Sequence, residues 1–413
     1  MTGTPLLDGQ VLLWHVTADL TLSEILEHIL SEASLPKNPN ACILLKPNFN
    51  NDLIGLTGNS TDLRVLHRTI RSLQGKGYTN LSVVDGPNLG VARMGADVFR
   101  RLGVLRLCEK AGVRCLDVNR LENTPVTLKN GISTRIANLF FEADFLINIP
   151  TIKTHAEVSM SCCMKNLMGA NIGKWKRNLH RDLAGSIVAL GELLPISLNI
   201  VDGLVGMEGN GPGDGIPREL NWIVSGADPC LTDAVVARLI GFEPSKEVPY
   251  LKEACRQGLL DSDSLDRLSR IQCQARVLRP HPVKRMARLF GHPSLGWLRD
   301  VVRPLFDNRL VRPLLYRHRI VQDVYESEEA QARFQFAPNV QSRETSFHGA
   351  YCPMQLSCHD ALDESKGCIQ CGYCYWVCDD GAIQITGNKG YLGRHIARYK
   401  SLVENAAKSR SGC

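Results

Sequence analysis

The sequence lacks the features of membrane, secreted and fibrous proteins. Its 413 residues contain no apolar run near the roughly 20 residues of a membrane-spanning helix, and the longest apolar stretches, such as 145–150, are strand-sized. The first thirty residues hold no Lys or Arg, so the charged start of a secretory signal is missing. Internal repeats and low-complexity tracts are also missing. We therefore expect a cytoplasmic globular protein.

Cysteine, in contrast, is abundant. The chain has 15 Cys, and the cytoplasmic thiol pool keeps cysteines reduced, so disulfides do not explain this number. Some of the cysteines should bind metal or take part in redox chemistry. At about 100 to 200 residues per domain, the length predicts two or three domains.

Short apolar runs alternate with helical patterns between residues 41 and 258. The predicted strands are 41–46, 81–85, 145–150, 198–202 and 221–225, and the predicted helices are 62–75, 181–194 and 232–240. This alternation predicts an α/β domain, residues 1–260, with a layered and largely parallel sheet. Ligands of such sheets bind at the carboxyl ends of the strands.

Three further segments follow this domain. Residues 261–345 form a basic, Pro-punctuated helical insertion, in which 267–319 hold 13 Lys and Arg against only two Asp. This segment could bind an acidic protein surface, or it could bind anionic lipid at the membrane surface as a peripheral contact. No nucleic-acid-binding motif is present, so we expect no nucleic acid partner. The alternative without a partner is a lid or solvated helices packed on the main domain. Residues 346–400 are rich in Cys, and 401–413 are a polar tail.

The Cys-rich segment contains four cysteines with the spacing C-x2-C-x2-C-x3-C, namely Cys368, Cys371, Cys374 and Cys378. This run resembles a bacterial ferredoxin motif, in which closely spaced thiolates hold one 4Fe-4S cluster. Zinc is the alternative, but zinc sites favour two separated Cys pairs. The run predicts a small C-terminal ferredoxin-like iron-sulphur domain.

The spacing does not decide which cysteine is the fourth ligand of this cluster. Cys378 is followed by Asp379, where the ferredoxin motif has Pro, whereas Cys352 is followed by Pro353. We therefore predict that Cys352 joins Cys368, Cys371 and Cys374 around one cluster. Cys378 and Cys358 are the alternative fourth ligands.

A second polar constellation follows the strand that ends near residue 150. Lys153, His155, Lys165 and Asn166 lie within fourteen residues, and their ammonium and imidazole groups suit an anionic substrate. We assign Lys153 and His155 to catalysis, together with His180, which otherwise only caps a helix. Lys165 and Asn166 are assigned to cofactor binding. The adjacent pair Cys162-Cys163 is more typical of small buried residues.

A glycine-rich stretch extends from Gly203 to Gly215 and contains six glycines. We expect a loop there in which Gly209 and Gly211 allow a ligand to approach, with a plain surface turn as the alternative. Asp202 and Glu208 are candidates for cofactor binding or turn capping. The stretch is not a Walker loop, and the chain has no full dinucleotide fingerprint.

These motifs together resemble a known family. The resemblance rests on Lys46-Pro47-Asn48, Ala143-Asp144, Asn148, Pro150, Lys153-Thr154-His155, Lys165-Asn166, Gly169, His180, Asp202-Gly203, Glu208-Gly209, Gly211-Pro212, Asp228 and Asp233-Ala234. It covers about 42–260 and is to the uncharacterised domain-of-unknown-function family 362. Members of this family often carry a ferredoxin-like tail. A fainter similarity is to the amino-terminal domain of lactate racemase, which binds a nickel-containing cofactor derived from nicotinic acid; this resemblance implies a second, unidentified anionic cofactor.

We therefore predict an iron-sulphur oxidoreductase whose cluster passes electrons to an anionic substrate or second cofactor in the α/β domain. An electron donor or acceptor protein would be its partner. Two other classes remain: an electron-transfer or docking protein without chemistry of its own, and a non-redox lyase, isomerase or transferase with a structural cluster.

Overall fold

The computed structural model describes residues 3–88, 96–281, 329–338, 351–357, 359–378 and 381–410, with only the backbone for 401–410. Most of the predicted basic segment therefore lies outside the described residues. So do Cys358 and the end of the predicted polar tail.

Fourteen strands are described. They are β1 (Thr4–Leu6), β2 (Val11–His15), β3 (Ile43–Pro47), β4 (Leu81–Asp85), β5 (Arg114–Asp117), β6 (Asn123–Thr127), β7 (Ser133–Ala137), β8 (Phe145–Ile149), β9 (Thr151–His155), β10 (Ser159–Ser161), β11 (Leu198–Asn210), β12 (Asp214–Gly226), β13 (Gln331–Phe336) and β14 (Ile383–Asn388).

The helices of the described ranges are mostly short. They are α1 (Leu22–Glu32), α2 (Leu63–Gly75), α3 (Val98–Arg101), α4 (Val104–Ala111), α5 (Leu139–Glu142), α6 (Cys163–Asn166), α7 (Lys176–Leu179), α8 (Leu183–Leu193), α9 (Pro229–Leu239), α10 (Pro244–Glu247), α11 (Pro249–Arg256), α12 (Ser262–Ser269), α13 (Tyr373–Val377) and α14 (Tyr391–Arg410).

One large mixed sheet organises the α/β domain. Its order is β1-β2-β12-β11-β8-β3-β4-β5, and β9 pairs with both β11 and β10. The neighbouring strands from β11 to β5 are parallel, whereas β12, β2 and β1 are antiparallel. The prediction of an α/β fold with a largely parallel central sheet is confirmed.

Alternate residues of the central strands pack against different layers. Ile43 and Leu45 of β3 belong to a core with α1, α2 and α4, whereas Leu44 belongs to a core with α8. Because successive side chains of a strand point to opposite faces, a fully apolar strand such as β3 must be covered on both sides. The carboxyl ends of β3, β4 and β8 therefore meet at one edge between two helical layers.

Acidic residues begin several of the helices. Asp62 accepts a hydrogen bond from the Arg64 amide (2.8 Å) at the start of α2, and Asp228 accepts from the amides of Cys230 and Leu231 before α9. A carboxylate in this position satisfies amides that have no partner within the helix. The helices predicted at 62–75, 181–194 and 232–240 correspond to α2, α8 and α9.

The glycine-rich stretch differs from the expected loop. It forms the second part of β11 and the first two residues of β12, and only residues 211–213 make the turn between them. A Cβ on Gly211 would overlap the carbonyl oxygen of Thr154, and one on Gly206 would come within 3.1 Å of that of Ile152. The glycines therefore let two long strands lie close against β9.

The described Cys-rich segment packs on the large domain. Strand β13 pairs with β14, and Ile369 and Tyr373 belong to the same core as Leu66 and Phe99. The predicted domain boundaries at 261, 346 and 401 stay predictions. No helix in the described ranges is long and apolar enough to span a bilayer.

Candidate functional site

A buried ion pair lies where β3 and β4 end. The Lys46 ammonium is 2.7 Å from a carboxylate oxygen of Asp85, and both side chains are almost fully buried. The other oxygen of Asp85 accepts a hydrogen bond from the Phe49 amide (2.6 Å). Gly169 lies against this pair, and a Cβ there would overlap both charged groups. The pair anchors what we call the lysine site: Lys46, Lys153, Lys165 and Lys176 around Asp85.

A row of asparagines forms the floor of the lysine site. Asn48 donates to Asn166 (2.9 Å), Asn166 donates to Asn148 (2.8 Å), and Asn148 donates to Asn199 (2.8 Å). Asn199 donates in turn to the carbonyls of residues 226 and 227. Because an amide both donates and accepts, such a row fixes the orientation of each member. It holds Asn48 and Asn166 beside the lysines.

Lys153 extends from β9 and is 3% exposed. Its ammonium donates to the side chain of Asn48 and to the carbonyl of Asn59 (2.7 Å). Burial, followed by the charge of Lys165, lowers the pKa of Lys153 to about 7, although Asp85 partly opposes the shift. Lys153 can therefore exchange a proton near neutral pH.

Two further lysines complete the site. Lys176 donates to the carbonyl of Gly86 (2.6 Å), directly after β4, and burial lowers its pKa to about 8. Burial also lowers the pKa of Lys165, while Glu157 opposes the shift. Buried ammonium groups are costly unless they are paired, and the charges of Asp85, Asp117 and Glu157 offset the lowered pKa values of Lys153, Lys165 and Lys176 only in part. The arrangement is suited to an anion.

The two candidate histidines lie next to Glu157. The Nδ1 atom of His155 accepts a hydrogen bond from the Glu157 amide (3.1 Å). The Nδ1 atom of His180 is 3.7 Å from the Glu157 carboxylate, and its side chain is 38% exposed. The structure therefore brings both histidines to the segment that also influences Lys165.

The hairpin residues have contacts that hold the hairpin in place. Glu208 accepts from the Leu278 amide (3.1 Å), Gly209 accepts from the Thr154 hydroxyl (2.8 Å), and Gly211 accepts from the Ala156 amide (3.1 Å). Asp202 accepts from the Asp62 amide (2.6 Å), and burial raises its pKa to about 7. These contacts join the hairpin to β9 and α2.

Cys162 and Cys163 lie in the core beside Asp233. The three ligand atoms lie within 4.8 Å of one another, and all three residues are buried. Both oxygens of Asp233 accept backbone hydrogen bonds, from Cys163 (2.6 Å) and Met164 (3.0 Å), and Tyr250 donates to one of them (2.9 Å). The group offers metal ligands, but its carboxylate also starts α6.

Four cysteines of the C-terminal segment influence one another, and we call Cys352, Cys368, Cys371 and Cys374 the cysteine site. Burial raises the pKa of Cys368, Cys371 and Cys374, and the charge of Cys352 adds to the rise in all three. The Cys368 sulphur accepts a hydrogen bond from the Gln370 amide (3.3 Å). Backbone hydrogen bonds from Tyr373 and Tyr375 lower the pKa values of Cys371 and Cys374. Cys378 ends α13, and its amide donates to the Cys374 carbonyl.

Tyr373 connects the cysteine site to the large domain. It lies between Cys371 and Cys374 in sequence, and its hydroxyl accepts a hydrogen bond from the Leu63 amide (3.1 Å) at the start of α2. A Cβ on Gly55 would come within 2.6 Å of this hydroxyl, so the turn must carry glycine there. Asp62, which precedes Leu63, donates its backbone amide to Asp202. One continuous set of contacts therefore leads from the cysteines to the hairpin.

Sequence reasoning assigned roles to Lys153, Lys165 and Asn166 but none to Lys46, Asp85 and Lys176. Lys46 and Asp85 end two strands that the apolar pattern had identified, and Lys176 lies in a short helix. A charged residue at the end of a buried strand was the available signal for Lys46 and Asp85. No local pattern marks Lys176, because only the fold brings it to Gly86.

The comparisons with known proteins agree with the resemblance found in the sequence. Residues 43–238, which include the whole lysine site, match the family described as "Domain of unknown function (DUF362)". The thylakoid-associated protein sll1697 of Synechocystis sp. is 27% identical over 237 residues, which cover 54% of this chain and 69% of that protein.

Among solved structures, the lactate racemase apoprotein from Thermoanaerobacterium thermosaccharolyticum is 12% identical and aligns with a TM-score of 0.34. The alignment covers 50% of this chain and 52% of the racemase, so this chain spans about half the length of that protein. A likeness of this size carries no argument. The family match alone identifies residues 43–238 as a DUF362 domain.

Proposed function

We propose that the chain is an iron-sulphur oxidoreductase. In this proposal the cysteine site holds one 4Fe-4S cluster, and the lysine site holds an anionic substrate or second cofactor. The observation that carries the proposal is that Cys352 lies near enough to Cys368, Cys371 and Cys374 for its charge to raise their pKa values, while backbone amides donate to the sulphurs of these three. Such amides are typical of protein iron-sulphur sites, where they adjust the potential.

The residues of the cysteine site fit the cluster. The charge of Cys352 reaches Cys368, Cys371 and Cys374, which supports its choice as fourth ligand. Gln370 adopts a left-handed conformation (φ 53°), and this turn directs its amide to Cys368. When bound, the cluster would supply single electrons.

The chain's own residues bind the substrate and move protons. Lys46 and Lys176 bind an anionic group near Asp85, while Asn48 and Asn166 orient it. Lys153, whose pKa is about 7, gives or takes a proton at its ammonium nitrogen. His155 and His180 lie at Glu157 as further proton carriers.

Anaerobic purification of the full chain tests this proposal. We expect about four iron and about four acid-labile sulphide per chain, with an EPR signal after reduction. Cys352→Ser should lose the iron, whereas Cys378→Ser and the exposed Cys273→Ser should keep it. Zinc without labile sulphide would overturn the proposal, and iron loss in Cys378→Ser alone would reverse the choice of ligand.

A second candidate function is supported by Lys153 itself. A lysine with a pKa of about 7 suits an isomerase or lyase that removes a proton from an anionic substrate, with a cluster that is only structural. An EPR-silent cluster that resists reduction would favour this alternative.

Membrane contact remains a proposal for the basic segment 267–319. The name of the Synechocystis relative, a thylakoid-associated protein, supports it. An electron donor or acceptor protein is the other proposed partner. Flotation with anionic vesicles distinguishes the two, because only lipid contact carries the chain upward with the vesicles.

A further inference from the structure

A cavity of about 270 Å³ lies beside the cysteine site. Three parts of the chain form its walls: residues 52–57 with the region of α3 and α4, strand β13 with residues 369–371 and α13, and helix α14. Cys371 lines it, and none of the four lysines, all of them described, does. The cavity is therefore a feature separate from the lysine site.

Aromatic side chains surround this cavity. Phe334, Trp376, Tyr391 and Tyr399 line it, and the rings of Trp376 and Tyr399 are 4.5 Å apart in a T-shaped arrangement. Several aromatic faces around one space favour a flat ring as the occupant. Ligand cavities commonly measure about 300–1,000 Å³, so this cavity suits one ring system better than a dinucleotide.

The charged residues of the cavity leave an excess of positive charge. Arg101 pairs with both acidic residues of the lining, Asp52 and Glu329, at 2.8 Å each. Arg398 pairs with Asp214 (2.8 Å). The guanidinium of Arg106 donates to a neutral acceptor, the Ile369 carbonyl (3.3 Å), so its charge is available to a ligand.

The large domain contacts Cys371 at the wall of this cavity. A Cβ on Gly103, at the start of α4, would be 3.3 Å from the Cβ of Cys371. Glycine at this position, with φ +80°, lets the large domain approach the cysteine closely. A ring bound in the cavity would therefore be a neighbour of one cysteine of the cysteine site.

We propose that this cavity is a second cofactor site, which binds a planar aromatic ring with an anionic substituent, as in flavin mononucleotide. The ring contacts Trp376 and Tyr399, and the anionic group contacts Arg106. Electron exchange between this ring and a cluster rests on the proposed function. Binding of the ring in the cavity does not depend on that function.

Strand β13 provides a matched pair of variants. Ala332 and Phe334 line the cavity, as does Ala330 just before the strand, whereas Arg333 is exposed, as the alternation of a strand requires. Ala332→Trp should fill the cavity, and Arg333→Trp adds the same side chain on the other side. Arg106→Gln removes the charge assigned to the anionic group.

Equilibrium dialysis of the full chain with flavin mononucleotide and with riboflavin tests the proposal. Riboflavin has the same ring without the phosphate. We expect the mononucleotide to bind more tightly, and Ala332→Trp to weaken both ligands by about tenfold or more, which corresponds to ~1.4 kcal/mol. Arg333→Trp should leave both affinities nearly unchanged. Arg106→Gln should weaken only the mononucleotide, so the preference over riboflavin disappears.

Absence of flavin binding would overturn this proposal, as would equal losses in Ala332→Trp and Arg333→Trp when circular dichroism shows both variants folded. Iron and labile sulphide are measured on the same samples. Flavin binding without iron would overturn the proposed function and support the cavity site. A complete cluster without flavin binding would support the proposed function and overturn the cavity site.

Discussion

Lys153 is buried in the middle of β9, and its ammonium donates to the side chain of Asn48 and to the carbonyl of Asn59. Its charge is opposed by burial and by Lys165, so its pKa falls from 10.5 to about 7. The unfolded chain keeps the ordinary value. Between about pH 7 and 10.5 the unfolded state therefore holds a proton that the native state has lost, and native stability rises with pH in this window.

Lys153→Met should remove this pH dependence. We expect the unfolding temperature of the ligand-free parent chain to rise, relative to that of the variant, as the pH increases from 7 to 9, because only the parent carries the shifted lysine. Thermal unfolding followed by circular dichroism at several pH values measures the difference. A constant difference across this range would show that Lys153 keeps its ordinary pKa.

At the residue scale, the sequence revealed only those site residues that cluster along the chain. Lys153, Lys165 and Asn166 lie near one another in sequence and were predicted to act together. Lys46 and Asp85 are 39 positions apart and meet only because β3 and β4 are neighbours in the sheet. Strand order depends on long-range packing, which no local pattern records.

At the element scale, the hairpin of β11 and β12 is the feature that the sequence misrepresented. Glycine has low strand propensity, so six glycines in one stretch predicted a loop. In the structure glycines allow backbone to pack on backbone: a Cβ on Gly211 of the hairpin would overlap the carbonyl oxygen of Thr154, and a Cβ on Gly58 would overlap that of Gly206. The turn at Gly55–Thr57 and the hairpin therefore depend on each other.

Gly58→Ala and Gly77→Ala form a matched pair that tests this packing. Both glycines have positive φ (+70° and +91°), but nothing lies within 4 Å of a Cβ at Gly77. Gly77→Ala should cost only the backbone strain, about 1–2 kcal/mol. Gly58→Ala adds overlap with Gly206, and we expect a further loss of about 1–3 kcal/mol in the free energy of unfolding. Urea titration measures the free energy of unfolding of both variants. Equal losses in the two variants would mean that the hairpin moves away from the added methyl group without loss of stability.

At the scale of the whole molecule, the Cys-rich segment (346–400), here called the cysteine segment, and the α/β domain share one core. Ile369 and Tyr373 are buried with Leu66 and Phe99, and the Tyr391 hydroxyl donates to the Arg101 carbonyl (3.2 Å). The sequence predicted a separate small domain because the composition changes near residue 346. Composition reports what a segment contains and not which surface it covers, so it could not predict this shared core.

This shared core predicts that the cysteine segment does not unfold on its own. If the cysteine site binds its cluster as proposed, calorimetry of the loaded chain should show one main transition, because loss of Ile369 and Tyr373 would expose the core around α2. Cys371→Ser should lower the temperature of that transition by several degrees, since a ligand lost from the native state no longer stabilises it. The exposed Cys273→Ser should leave it unchanged. Two transitions, of which Cys371→Ser shifts only the smaller, would mean that the segment folds independently and that its contacts with α2 contribute little to stability.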